Sequence, residues 1–100
     1  MDWMFAVKDC TGRLIHLSYD RYRDHVLPPP HMHDKIELIK STIESPKFIR
    51  RYKDPNVRYF YDYDKTRSPV ERYLLVSVKY LNGEGYVITS FFTNKVTGTP

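Results

Sequence analysis

The dipeptide Asn82-Gly83 is the feature that most limits how this chain folds. It separates two runs, residues 72–81 and 85–93, in which β-branched and aromatic side chains are frequent. Asn-Gly between two such runs strongly indicates a β-hairpin, because both residues accept the positive φ angles of a two-residue turn. The C-terminal third of the chain is therefore predicted to form an antiparallel hairpin.

Two registers are open for this hairpin. A two-residue loop pairs Lys79 with Tyr86, whereas a three-residue loop with a bulge at a turn glycine pairs Lys79 with Val87. We favour the bulged register, which also pairs Ser77 with Thr89, because it groups the polar side chains of Lys79, Ser77, Thr89 and Thr93 on one face. The choice matters because a shift of one residue moves every side chain to the other face.

Two helices are predicted upstream of the hairpin. Ser18 can cap a helix that begins at Tyr19, and the three prolines at 28–30 end it. The spacing of Ile36, Ile39 and Ile43 predicts a second helix with one apolar face, which ends at 45–46. Asp34 and Glu37 have the spacing of a capping pair for this second helix.

Three further strands are predicted from alternating polar and apolar residues. Strands at 4–8 and 13–17 flank turn-forming residues at 9–12 and predict an N-terminal hairpin. Residues 57–63 predict a strand that follows a turn at 54–56, and residues 64–69 predict a polar loop. The predicted fold class is α+β, with two short N-terminal helices, after a β-hairpin, packed on an antiparallel sheet. Residues 1–100 are predicted to form one domain, since this length closes a single core.

Charge and cysteine content narrow the class of partner and the compartment. The chain carries a net charge of +4, which favours an anionic partner such as RNA. Cys10 is the only cysteine, so no internal disulfide can form and nothing indicates secretion. No apolar run approaches the length of a membrane-spanning helix. We therefore expect a cytoplasmic protein without a membrane partner.

The sequence offers residues for metal-independent chemistry. His31, His33 and Asp34 have no fourth ligand at a suitable spacing, and no glycine-rich phosphate loop is present. We therefore expect neither a metal nor a cofactor. Cleavage of a phosphodiester without metal requires proton transfer and cations directed at the phosphate. Histidine suits the proton transfers because it titrates near neutral pH, and arginine and lysine suit the developing charge.

Four local motifs carry a resemblance to a known family. They are the string S-x-D-R-Y at 18–22 leading to H-V at 25–26, His31 followed by I-K-x-T-I-x-x-P at 39–46, D-P-N-V at 54–57 before Tyr59 and Tyr61, and the paired strings 74–79 and 85–95. On these motifs the chain resembles the phage and mobile-element RelE-like nucleases of the barnase–EndoU–colicin–RelE fold. The resemblance implies two helices followed by a strongly bent antiparallel sheet.

The resemblance also implies a function and a set of site residues. It implies a metal-independent endoribonuclease or toxin-like RNase, with His25 and His31 as acid and base. Lys79 and Arg51 are the expected phosphate-stabilising residues, and the remaining candidates for the catalytic face are Tyr61, Thr89 and Thr93. The candidates for substrate binding are Arg50, Lys53, Arg58 and Lys95. An antitoxin-like protein is the protein partner that such a toxin implies.

Two alternatives remain open from the sequence. In the first, the chain is a non-catalytic module that binds RNA or an acidic protein through its tyrosines and the basic residues at 47–53. In the second, an edge strand of the N-terminal hairpin pairs with a second copy of the chain.

Overall fold

The computed structural model describes residues 3–25 and 35–100. The strands are β1 (Trp3–Lys8), β2 (Leu14–Ser18), β3 (Phe48–Arg51), β4 (Val57–Tyr63), β5 (Tyr73–Leu81) and β6 (Glu84–Thr93). The helices are α1 (Tyr19–His25) and α2 (Ile36–Glu44), and a short 3-10 helix covers Pro69–Glu71. The α+β class is therefore confirmed.

The six strands form one mixed sheet in the order β1-β2-β6-β5-β4-β3. Strands β3 to β6 form an antiparallel meander, and β1 pairs antiparallel with β2. The N-terminal hairpin then joins the meander through a parallel contact between β2 and β6. The prediction of a wholly antiparallel sheet was therefore wrong at this one junction, where strands far apart in sequence meet.

The C-terminal hairpin combines features of both predicted registers. Asn82 and Gly83 have positive φ angles of 55° and 84°, and Lys79 lies opposite Tyr86, as in the two-residue loop. Beyond the pair Val78–Val87 the register shifts, and Ser77 lies opposite Thr89. The favoured bulge at a turn glycine was therefore wrong, because the extra residue is Ile88, within β6.

The helices pack on one face of the sheet. Ile39 and Ile43 of α2 are fully buried against strand residues such as Ile15 and Val76, and Tyr22 of α1 is half-buried on the same cluster. The apolar spacing of α2 therefore forms the predicted core face. We call the opposite side of the sheet the open face.

Of the local predictions, one helix cap is confirmed and one capping pair lies outside the described residues, and two elements of the structure were not predicted. The Arg21 amide donates a hydrogen bond to Ser18 Oγ, which confirms the cap of α1. Asp34 lies outside the described residues, so the predicted capping pair of α2 is not described. Strand β3 and the 3-10 helix were not predicted, because 48–51 is dominated by its arginines and 69–71 begins with a proline.

A C-terminal segment, residues 97–99, crosses part of the open face. The Thr97 amide donates to the Tyr61 hydroxyl at 2.9 Å, and Arg51 and Thr99 exchange two backbone hydrogen bonds of 2.8 Å. Tyr61 is only 1% exposed, and the rings of Phe48 and Tyr73 also pack against it. The open face is therefore covered at Tyr61, and the candidate site lies in the β2–β6 half of that face.

Candidate functional site

The open face carries side chains in rows that run across the strands. The row nearest the hairpin turn contains His16 of β2, Tyr86 of β6 and Lys79 of β5. The next row contains Thr89, Ser77, Tyr59 and Arg50. The alternation of side chains along a strand explains the first row, since Ile15 and Leu17 face the core and His16 must face away from it.

Three aromatic rings meet at the end of the first row. The centroid of Trp3 lies 4.5 Å from that of His16, and His16 is stacked on Tyr86 with centroids 5.3 Å apart. The exposed fraction of Trp3 is 36%, whereas that of His16 is only 7%. We call Trp3, His16 and Tyr86 the aromatic stack.

A carboxylate fixes the orientation of the histidine within this stack. Glu84 and Tyr86 are two residues apart on β6, so both side chains reach the open face beside β2. Glu84 Oε1 lies 2.5 Å from His16 Nε2. His16 Nδ1 is buried and has no hydrogen-bond partner among the described residues. An ionised Glu84 accepts the proton on Nε2, which leaves the Nδ1 lone pair able to accept another proton.

Two cationic residues border a cavity beside the aromatic stack. The cavity has a volume of about 350 Å³, and its lining includes Trp3, His16, Tyr86, Lys79 and Arg21. Lys79 Nζ lies 3.4 Å from Asp54 Oδ2, and both side chains are 41% exposed. Water screens an exposed pair of this kind, so Lys79 can exchange this partner for an anionic ligand.

The structure places the predicted catalytic residues in several environments. Thr89 and Thr93 lie on the open face with Lys79. Tyr61 shares that face, but its hydroxyl is bonded to Thr97 under the C-terminal segment. Arg51 lies opposite Arg58, in the row that continues to the core residue Val78, and so belongs to the helix-bearing side.

The predicted acid and base are not brought to the cavity by any described contact. His25 is the last residue of α1, and its side chain is not described. His31 lies outside the described residues. The proton-transfer candidate that the described structure does supply is His16.

The predicted substrate-binding residues are also dispersed. The guanidinium of Arg50 lies 4.5 Å from the centre of the Phe48 ring on the open face, whereas Arg58 lies on the helix-bearing side. Lys53 is in the β3–β4 turn with its ammonium 5.0 Å from the Tyr52 ring centre. Lys95 is exposed beyond the end of β6.

Sequence reasoning missed Trp3, His16 and Glu84. One local indication was present, because His16 is the polar residue between two apolar residues of a predicted strand and so had to face away from the core. Its contact with Glu84, 68 residues further along the chain, has no local indication.

The described residues form neither a metal-binding cluster nor a membrane-spanning helix. Residues 3–25 and 35–100 contain no group of three or more His, Cys, Asp or Glu side chains placed to bind a metal ion. Within the same ranges, no helix combines the length and apolar character needed to cross a membrane.

Comparison with known proteins gives no relative. The chain matches no protein-family model, no curated protein and no solved structure.

Proposed function

We propose that the open face binds single-stranded RNA, with bases on the aromatic stack and the phosphate backbone on Lys79 and Arg21. The observation that carries this proposal is the presence of an exposed tryptophan, a stacked tyrosine and two cations around one cavity. Rings of this kind stack on any unpaired base, and cations attract the backbone irrespective of sequence. The net charge of +4 acts in the same direction.

Trp3 makes the proposal directly testable because it is the only tryptophan of the chain. Stacking of a base on the indole changes its fluorescence, so a titration with oligouridine reports binding at this location. We expect saturable quenching that weakens with added salt. Tyr86→Leu removes one stacking ring, which corresponds to about 1–3 kcal/mol, or roughly 5- to 150-fold in affinity.

Variants that each remove one charge distinguish RNA binding at the cavity from general attraction by the net charge of the protein. Lys79→Gln should reduce the salt dependence by about one released counterion. Lys65→Gln is the matched control, because Lys65 is exposed in the loop that follows β4. Equal losses in the two variants, or RNA binding without any change in Trp3 fluorescence, would refute binding at the aromatic stack.

Cleavage of the bound RNA is the second candidate function, and the pairing of His16 with Glu84 beside Lys79 favours it. In this proposal Nδ1 of His16 takes the proton of a 2′-hydroxyl, whose oxygen bonds to phosphorus as the bond to the 5′-oxygen breaks. The departing 5′-oxygen takes a proton from water, and Lys79 stabilises the charge that develops on the phosphate. Because His16 is only 7% exposed, cleavage requires the aromatic stack to rearrange so that RNA reaches the imidazole. Binding on the exposed Trp3 requires no such rearrangement. Binding is therefore our first proposal.

Incubation of labelled RNA with the protein in EDTA tests cleavage. The chemistry predicts fragments with 2′,3′-cyclic phosphate and 5′-hydroxyl ends. Loss of cleavage in His16→Gln and Glu84→Gln, with quenching retained, supports His16 as the base. If the double variant His25→Ala plus His31→Ala loses cleavage and His16→Gln retains it, the acid and base are instead the pair expected from the sequence.

The wider expectations from the resemblance belong to the same proposal. On its sequence motifs we propose that the chain is related to the RelE-like nucleases; the N-terminal hairpin and its parallel contact with β6 are not part of the arrangement that the resemblance implies. An antitoxin-like partner and a cytoplasmic location stay predictions. Self-association through an edge also stays a prediction, for which β1 at one end of the sheet is the candidate strand.

A further inference from the structure

Three arginines converge on a cleft at the helix-bearing side of the sheet. The cleft has a volume of about 260 Å³, and its lining includes Arg13, Arg51, Arg58 and Tyr80. Arg51 and Arg58 are directly opposite on β3 and β4, and Arg13 comes from the turn that joins β1 to β2. The sheet separates this cleft from the cavity at the aromatic stack.

Two of the guanidinium groups are held in place by their neighbours. Nη1 of Arg58 donates to the carbonyl oxygens of Pro55 at 2.6 Å and Val57 at 3.1 Å. The guanidinium of Arg13 lies 5.2 Å from the centre of the Tyr80 ring, within cation–π range. Groups that are already oriented lose little conformational entropy when they bind an anion.

Among residues 3–25 and 35–100, no ion pair neutralises the positive charge of this cleft. In the described part of the chain, every ion pair involves other residues, so no carboxylate lies within 4.0 Å of these three guanidinium groups. The nearby Asp9 carboxylate accepts hydrogen bonds from Tyr80, Thr11 and the Arg13 amide. Burial, followed by the hydrogen bond to Asp9, raises the pKa of Tyr80, so its phenol stays neutral and adds no charge.

We propose that the cleft formed by Arg13, Arg51 and Arg58 is a second binding site, specific for a phosphate group. Arginine forks match the geometry of phosphate oxygens, and several forks around a small concave site suit a dianionic group better than a single carboxylate. The group belongs either to a small phosphomonoester or to the 5′ end of a nucleic acid strand. The proposal is independent of the open face, because the two sites share no residue.

Calorimetric titration with AMP, adenosine and inorganic phosphate tests this site. We expect AMP at millimolar concentrations or below to shift the amide signals of residues 11–13 and 58, and adenosine to leave these signals unchanged, because stacking of its base on Trp3 takes place on the other side of the sheet. Arg13→Gln and Arg58→Gln should each weaken AMP binding about tenfold or more, because each removes charge-assisted hydrogen bonds. Arg13 is exposed in a turn, so its variant tests the site even if Arg58→Gln disturbs folding.

Matched variants distinguish this cleft from other positive surfaces. Arg72→Gln removes an exposed arginine outside the cleft, and Lys65→Gln removes an exposed lysine in the loop that follows β4. Both should bind AMP as the wild type does, and amide shifts on titration should concentrate at residues 11–13 and 58. Equal weakening in Arg72→Gln, or equal shifts of the amides at residues 11–13 and 58 with adenosine and AMP, overturns the proposal.

A pair of short oligonucleotides identifies the source of the phosphate. Tighter binding of the 5′-phosphorylated strand than of the 5′-hydroxyl strand, lost in Arg13→Gln, indicates a strand end. Binding of AMP with no difference between the two strands indicates a small phosphomonoester. Absence of binding to AMP, inorganic phosphate and the phosphorylated strand overturns the proposal.

Discussion

Gly85 lies where the N-terminal hairpin meets the meander, and its replacement by alanine tests whether this junction builds the site. The parallel contact consists of the pairs Ile15–Gly85 and His16–Tyr86. A β-carbon on Gly85 would press on Ile15 Cδ1 and lie 2.9 Å from Val78 Cγ1. Both neighbours are fully buried in the core, so neither can turn away into solvent.

The expected loss of stability follows from this geometry. Overpacking a well-filled core costs about 1–3 kcal/mol, and replacing a strand glycine by alanine returns about 0.5–1 kcal/mol. The net loss is therefore about 1 kcal/mol, within limits of roughly 0 and 2.5 kcal/mol. For a domain of this size each kcal/mol lowers the melting temperature by about 4–8 °C. Urea unfolding of Gly85→Ala against the wild type measures the difference directly.

Ile15→Val provides the matched second variant, because it deletes the Cδ1 methyl that the new β-carbon meets. Alone it should cost about 0.5–1.5 kcal/mol for the lost methyl. Combined with Gly85→Ala, the two changes should cost less than the sum of the single variants, with a coupling near 1 kcal/mol. The emission of Trp3 should also shift in Gly85→Ala alone, because β2 must move away from β6 and disturb the aromatic stack. Additive losses with an unchanged Trp3 spectrum would refute this account of the junction.

Three further predictions concern stability elsewhere in the chain. Burial by itself raises the pKa of the Asp9 carboxyl, but hydrogen bonds from Tyr80, Thr11 and Arg13 outweigh it, so the folded pKa lies below the ordinary value of 3.8. The stabilisation by the ionised Asp9 is therefore fully present above pH 3.8 and is lost as pH falls through the folded pKa. In an acid titration followed by circular dichroism, Asp9→Asn should lose less stability than the wild type. Tyr61→Phe removes the hydrogen bond to Thr97 and should speed amide exchange at Thr97 and Thr99, with a cost of about 0.5–1.5 kcal/mol; unchanged exchange would contradict the role of this hydroxyl. Ile39→Ala, at a fully buried position of α2, should cost about 2–5 kcal/mol in urea unfolding, and a loss below 1 kcal/mol would show that α2 does not close the core.

The two candidate sites together give the sheet two chemically different sides. The open face offers aromatic rings with a histidine–carboxylate pair, and the helix-bearing side offers a cleft of arginines. Arg51 and Lys79 were expected to act on one phosphate, but the register places them on opposite sides of the sheet. A single RNA contact at one site therefore cannot account for both residues.

The sequence by itself determined the elements whose cause is local. Asn82 and Gly83 accept positive φ angles, so the hairpin turn formed as predicted. The apolar spacing of Ile39 and Ile43 marked the buried face of α2, and Ser18 marked the start of α1. Each of these depends on residues within a few positions of one another, where propensity and periodicity act directly.

Only the tertiary structure decided how the strands combine and which residues face the cavity. The bulge at Ile88 sets the side on which Thr89 lies, and a bulge within a strand carries no distinct residue signal. The contact of β2 with β6 brings His16 to Tyr86 and Glu84, although no local pattern links residues so far apart in sequence. The candidate site is assembled by that single long-range pairing, because neither hairpin contains both the histidine and its partners.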